Sequence, residues 1–256
     1  MARQHLFEFE DQSWFPSTLR NYGTDFLQFL ANKSKMFSPT ADILHDLMQK
    51  TGVDTIIDLA SGGGGSWETL FSEIKQKNSS AQLILTDYYP NFPALEKLSD
   101  MDKNISFSKE KIDARNVPVS LQGIRTQYLS FHHFNEKDAI QILENAVKTN
   151  QPIAIFEGQE RSVPSVMAMI FSPITVLLTT LLIKPFRWGR ILFTYFIPIV
   201  PFFVMWDGIV SSIRTYSVEE MKKLVLKADP EEKYHWEIKR IKNGPGVIIS
   251  TIGHAR

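Results

Sequence analysis

Thr55 to Trp67 reads TIIDLASGGGGSW: a short apolar run, an acid, four consecutive glycines and a tryptophan. Glycine loses more conformational freedom on ordering than any other residue, so four in a row imply that something approaches the backbone closely. TIIDLA (55–60) reads as a buried strand, and Trp67 to Lys77 places Leu70, Phe71 and Ile74 at helical spacing. A glycine turn between a strand and a helix aims backbone N–H groups at a ligand.

The same alternation continues on the C-terminal side. QLILTD (82–87) predicts a second strand, a helix from about Phe92 to Leu98 follows, and ISFSKEKI predicts a third strand ending near Asp113. TQYLSF (126–131), an amphipathic helix from Glu136 to Thr149, and PIAIFEG (152–158) complete a series of parallel strands with crossover helices. Further on, Ser217 and Glu220 form a capping box for a helix, and YHWEIKRI and GVIISTI predict a hairpin joined by KNGPG. Residues 1–50 read as a helical cap over the ligand edge of the sheet, 51–161 with 207–256 as the ligand-binding domain, and 162–206 as a hydrophobic insert.

The 256 residues are long enough for one large domain with a sizeable core. Twenty-eight Lys and Arg balance twenty-eight Asp and Glu, which argues against nucleic acid as the main partner. Cysteine is absent, so disulfides, thiolate metal sites and thiol nucleophiles are excluded and acid–base work falls to histidine or carboxylate. The N-terminal MARQHLFEFEDQSWF has no apolar run of the signal-peptide kind, and a cytoplasmic location is expected.

Three ligands compete for the glycine turn. A P-loop requires Gly-Lys-Ser/Thr, whereas this turn ends Gly64-Gly65-Ser66-Trp67. A dinucleotide fingerprint wants a small residue where Trp67 stands, and Asp58 would repel a pyrophosphate. A ligand with a sulfonium and an ammonium and no phosphate would instead be attracted by that acid.

Asp58-Leu59-Ala60-Ser61-Gly62-Gly63-Gly64 resembles the first motif of the class I S-adenosylmethionine-dependent methyltransferases, D-x-G-x-G-x-G, with Ala60 at the first glycine position and expected to hold a negative φ. The resemblance covers roughly 52–160 and 215–253 and implies a Rossmann-like α/β fold, a mostly parallel seven-stranded sheet with a reversed last strand. It implies S-adenosyl-L-methionine as cofactor, with Asp87 after strand two on the ribose hydroxyls and Asp113 after strand three near the adenine. Asp58, Ala60, Ser61, Gly62, Gly63, Gly64, Asp87, Tyr88, Asp113, Ala114 and Phe131 are thereby the cofactor-binding candidates.

Methyl transfer is an in-line displacement that gains much from alignment, and a base is needed only for a protonated acceptor. His132 and His133, in SFHHF after strand four, are the catalytic candidates by position, with packing as the competing role. No nearby acidic spacing supports a metal site with them.

Val163 to Trp206 holds three charges in 44 residues, Lys184, Arg187 and Arg190. Ser162 to Ile183 is long enough as a helix to reach about 33 Å. A two-pass hairpin is disfavoured by Pro198 and Pro201 and by the charge placement. A monotopic or re-entrant arrangement is expected, with Lys184, Arg187, Trp188 and Arg190 at the headgroups on the cytoplasmic face of a membrane; a lid or dimer face is the alternative. Trp206, Asp207, Arg214 and Tyr216, where the chain re-enters the domain, are candidates for the polar head of a substrate, or Asp207 and Arg214 form a structural pair. The expectation is a methyltransferase acting on a hydrophobic small-molecule or lipid-like acceptor, with a catalytically silent cofactor-binding or membrane-scaffold protein as the alternative.

Overall fold

The structure is a computed structural model that describes residues 1–244 and 246–256. Two helices, α1 (Ser17–Lys33) and α2 (Pro39–Thr51), precede β1 (Thr55–Asp58), α3 (Trp67–Lys77), β2 (Gln82–Leu85), α4 (Phe92–Ser99) and β3 (Ile105–Phe107). There follow β4 (Ile124–Tyr128), α5 (Glu136–Lys148), β5 (Ile153–Glu157), α6 (Val163–Ile170), α7 (Ser172–Thr179), α8 (Trp188–Ile191) and α9 (Ile199–Arg214). Helix α10 (Val218–Ala228) and the strands β6 (Tyr234–Asn243) and β7 (Gly246–Ala255) close the chain. In the KNGPG turn, Pro245 lies outside the described residues.

The seven strands lie in the order β3-β2-β1-β4-β5-β7-β6. The first five are parallel, and β7 runs antiparallel between β5 and β6. This is the expected seven-stranded sheet with its reversed last strand. The order changes direction at β1, which lies between β2 and β4, and a ligand crevice forms at the carboxyl ends of strands at such a point. The glycine turn leaves β1 there.

One face of the sheet packs Leu44, Leu47, Trp67, Leu70, Phe71 and Ile74 against Ile56, Leu83 and Phe156. The other packs Ile142, Leu143, Leu224 and Val225 against Ile57, Ile153 and Ile155. Each such side chain, fully buried, contributes about 1.5–3 kcal/mol. The Ser217 capping box is formed in both directions. Strand β4 starts two residues earlier than its apolar pattern suggested, because the intervening cation Arg125 is buried and donates to Asn145 Oδ1 at 2.6 Å. It ends before Phe131, since Leu129 turns to a φ of +50°.

A third core lies off the sheet, where Phe15, Tyr22 and Phe26 of the N-terminal region pack on Val176, Ile183, Val200, Phe203 and Val204. Helix α1 and the apolar insert therefore share one interior. Helix α9 runs uninterrupted through residue 206, where the sequence pattern placed the end of the insert. Among the described residues no single helix is long and apolar enough to cross a membrane; two bent pairs, Val163–Ile170 with Ser172–Leu182 (41°) and Trp188–Phe196 with Ile199–Arg214 (77°), carry the apolar length. Arg190, expected at headgroups, is 1% exposed. It donates to Asp25 Oδ2 at 2.7 Å and to the carbonyls of Ile183 and Pro185, fastening the insert to α1.

Candidate active site

Four consecutive glycines have no side chains with which to hold a conformation, and neighbouring elements impose one. The Gly62 N–H donates to Asp87 Oδ2 at 2.7 Å; Gln28 Nε2 donates to the Gly63 carbonyl at 3.2 Å; Asn32 Nδ2 donates to the Gly65 carbonyl at 2.8 Å. Asn32 Oδ1 also accepts from the Thr69 N–H at 3.0 Å, capping α3 from a different helix. The N-terminal region is thus a brace for the turn. Gly64 is indispensable on two counts, a φ of +89° and a Leu98 Cδ1 that stands 2.0 Å from where a Cβ would go. Above Gly62 and Gly65 a Cβ would meet nothing within 4 Å, so this surface is free for a ligand.

Ala60 departs from expectation. Its φ is +55°, because the chain reverses immediately after β1 so that the Ser61 N–H can reach the Thr86 carbonyl at 3.0 Å. The left-handed region costs a residue with a Cβ roughly 1–2 kcal/mol.

Asp58 is buried beneath the turn, where Thr126 Oγ1 donates to its Oδ1 at 2.8 Å. Burial pushes its carboxyl up to about 6, and hydrogen bonds from Ser61, Thr126 and Trp67 limit the rise. Asp87 lies at the exposed edge, also accepting from the Tyr89 N–H at 2.6 Å. Tyr88 beside it is exposed. Asp113 is engaged by Arg115, whose Nη2 donates to Oδ2 at 2.7 Å and holds its carboxyl below the usual range. Ala114 and Phe131 are buried in the core beneath.

The residues after β4 have partners that the sequence pattern did not suggest. His132 is 2% exposed; its Nδ1–H donates to Glu157 Oε2 at 2.8 Å, and its backbone N–H to Glu157 Oε1 at 2.9 Å. A carboxylate only accepts, so the proton is on Nδ1 and Nε2 keeps its lone pair. Burial lowers the pKa of His132, leaving the ring neutral. His133 meets Asp11 Oδ1 at 2.9 Å, Glu8 Oε2 at 3.5 Å and Glu10 Oε1 at 3.6 Å. Burial opposes its charge, but Glu8, Asp11 and Glu10 outweigh burial and push it up to about 10. Asp11 thus engages His133 Nδ1, and the wholly buried Glu8 stands 3.8 Å from His132 Nε2 through its Oε1.

The four substrate candidates converge on the same N-terminal segment. Trp206 Nε1 donates to the Phe7 carbonyl at 3.1 Å, and Asp207 accepts from the N–H groups of Phe9 and Glu10 at 2.7 and 3.1 Å. Arg214 donates to Asp11 Oδ2 at 2.7 Å, and Tyr216 lies 3.8 Å under the Arg3 guanidinium. Asp207 and Arg214 therefore share a helix but bind successive residues of that segment in place of each other. Burial pushes Asp207 up to about 7. Glu8, Glu10, Asp11 and Glu157 escaped the sequence reading, though Phe7-Glu8-Phe9-Glu10-Asp11 carries a visible density of acid.

No protein-family model matches the sequence, and no curated protein is similar to it at a meaningful level. Solved structures are. The plantazolicin methyltransferase BpumL in complex with SAH superposes with a TM-score of 0.55 at 14% identity, covering 94% of this chain and 88% of that one. Human N-acetylserotonin methyltransferase in complex with SAM gives 0.53 at 13% identity, covering 99% of this chain and 63% of that one. The methyltransferase domain of bacterial CtHen1-C gives 0.51 at 11% identity, covering 86% and 98%. The chain has the fold of the class I S-adenosylmethionine-dependent methyltransferases.

Two outcomes follow from the turn. Ala60→Gly should stabilise the protein by about 1 kcal/mol in urea unfolding by relieving the left-handed alanine; a destabilised variant would mean the strain is absent. Asp58 has a folded-state pKa near 6, above its unfolded value, so its protonated form adds stability that is complete below the unfolded pKa and lost as pH rises through 6. The stability of wild type relative to Asp58→Asn should therefore fall between pH 4.5 and pH 7, by on the order of 2–3 kcal/mol. A difference that does not change with pH would contradict the assignment.

Proposed function

We propose that the protein is a methyltransferase that binds S-adenosyl-L-methionine over the glycine turn and methylates a hydrophobic acceptor at a membrane surface. The observation that carries the reading is the turn itself, open above Gly62 and Gly65 and flanked by the carboxylates of Asp58 below and Asp87 at its rim. A sulfonium cation is attracted by such surroundings and a pyrophosphate is repelled. Asp87 is suited to accept from the ribose hydroxyls, with Asp113 on the adenine side. Held over the turn by the backbone of Gly62 to Gly65 and the Asp87 carboxylate, the cofactor would supply an activated methyl group for the acceptor, leaving S-adenosylhomocysteine as the other product. Alignment is the main demand, and an acceptor that arrives protonated must also pass its proton to a base, the role for which His132 and His133 are the candidates by position.

The membrane part of the reading is supported by what the insert leaves uncovered. Leu178, Leu181, Leu182, Phe186 and Trp188, around the turn from α7 to α8, are all exposed, Trp188 at 79%. Exposed apolar groups in this density mark an interaction surface. With Lys184 and Arg187 interspersed, the turn has the composition of a segment that dips into an anionic leaflet. A lipophilic acceptor would be drawn from there.

Asp87→Ala should weaken S-adenosylmethionine binding by roughly 1.5–3 kcal/mol in calorimetry, the loss expected for charge-assisted hydrogen bonds. Wild type incubated with a membrane extract should form S-adenosylhomocysteine; tight cofactor binding without product would favour the silent scaffold. In liposome flotation, wild type should rise with anionic vesicles, and Leu178→Glu/Leu182→Glu/Trp188→Glu should remain at the bottom. Wild type that stays at the bottom removes the membrane from the proposal. Surface substitutions suit this test better than deleting the insert, which would expose the core of Val176, Val200 and Phe203.

A further inference from the structure

We infer that Glu8, His132 and His133 form a binding site for a divalent transition-metal ion of the Zn2+ type, which joins the N-terminal segment to the turn after β4. One donor atom from each residue lies within 4.8 Å of the others. Donors about 2.0–2.1 Å from a tetrahedral ion stand roughly 3.3 Å apart. Glu8 Oε2 is already 3.5 Å from His133 Nδ1, and Glu8 Oε1 is 3.8 Å from His132 Nε2. Rotamer adjustment of the three side chains would bring the donors from within 4.8 Å of one another to that spacing.

Two atoms single the cluster out from an ordinary buried ion-pair network. His132 Nε2 and Glu8 Oε2 are both buried without any hydrogen-bond partner, on residues 2% and 0% exposed. Leaving such groups unpaired costs about 1–3 kcal/mol each, and both face the space between the three side chains. Around them the other positions are filled in a consistent way. Glu157 fixes the His132 tautomer through Nδ1, so the free Nε2 presents a lone pair, the outer carboxylate arrangement that metal-bound imidazoles use. Arg214 Nη1 and Ser211 Oγ occupy Glu8 Oε1 at 3.2 and 3.1 Å, and Arg214 Nη1 also takes Asp11 Oδ2. The other oxygens, Glu8 Oε2 and Asp11 Oδ1, are the ones turned to His133. Asp11 Oδ1 lies outside the three-donor group and holds His133 through Nδ1 at 2.9 Å, a contact that sets the ring's position.

Charge argues the same way. The carboxyl groups of Glu8, Glu10, Asp11, Glu157 and Asp207 outnumber the two imidazoles and the single guanidinium of Arg214 around them, and burial makes the charged form of Glu8 costly to hold. A divalent ion would favour the ionised form of Glu8. Two imidazoles with one carboxylate suit Zn2+ and its first-row neighbours better than Ca2+ or Mg2+, which prefer all-oxygen sites. Binding would displace the proton now held by His133. The ion would pin residues 8–11 over His132 independently of whether methyl transfer occurs.

The test uses untagged, full-length protein stripped with chelator and titrated with ZnCl2 in a calorimeter. One equivalent should bind with micromolar or tighter affinity and raise the melting temperature. Glu8→Gln, which keeps shape while removing a charged ligand, should weaken binding at least tenfold, and Glu157→Gln should weaken it about tenfold through the outer contact. Should Glu8→Gln fail to fold, Asp11→Asn at the partly exposed edge and the visible spectrum of the Co2+-loaded wild type provide independent readings, a tetrahedral band being expected. The cross-strand pair His235 and His254 is a second place where Zn2+ could lodge. The variant His235→Asn/His254→Asn should retain the equivalent. No stoichiometric binding, or binding that survives Glu8→Gln and disappears in the hairpin variant, overturns the inference.

Discussion

The structure depends on the way a glycine turn with no side chains of its own is held in place by groups from other elements. Asp87 holds its first N–H, and Gln28 and Asn32 hold two of its carbonyls. Because Asn32 also caps α3, a single amide couples the turn, the helix that follows it and the N-terminal helix α1. The turn is open above Gly62 and Gly65 and is fixed from below and from the side. Glycine supplies the openness, and the fixing has to come from far away in sequence.

That same N-terminal region is held down at its other end. Residues 3–11 cross between the turn after β4 and helix α9, and several of the contacts are between side chains and backbone, Arg3 to the carbonyls of Arg214 and Phe134 and Asp207 to two N–H groups. Such contacts define register, since each requires a particular residue's backbone at a particular place. The insert joins the arrangement through Arg190 and Asp25. What reads in sequence as a cap and an insert is physically one helical layer whose interior is contributed by both.

The alternation of strands and helices, the reversed last strand and the capping box at Ser217 were legible because each rests on local periodicity or local chemistry. Trp67 to Lys77 is an instance: Trp67, Leu70, Phe71 and Ile74 recur at helical spacing, and all four are buried. Strand β4 was misplaced because Arg125 looks like a surface residue until Asn145 is known to lie beside it. The roles of Asp207, Arg214 and both histidines were not legible for the same reason. Their partners are between 25 and about 200 positions away, and nothing in a linear pattern says that an acidic stretch at residues 8–11 returns to His133. Local sequence encodes what an element is, while the assignment of a polar side chain requires knowing which element folds against it.

This distinction also separates the two acids at the glycine turn. Asp58 and Asp87 look equivalent in sequence, each closing a strand, yet only Asp87 is at the surface; Asp58 is enclosed among Ser61, Thr126 and Trp67. An exposed carboxylate contributes hydrogen bonds to a ligand but little field, because water screens it. A buried one acts through a medium of lower dielectric, where its charge reaches further and costs more to maintain. With its carboxyl raised to about 6, Asp58 is mostly ionised at neutral pH without being far from neutralisation. A cation placed over the turn favours the ionised form, and a phosphate would favour the protonated one. In the proposed function the sign of the ligand charge would therefore be selected from beneath the turn, by a residue the ligand need not touch.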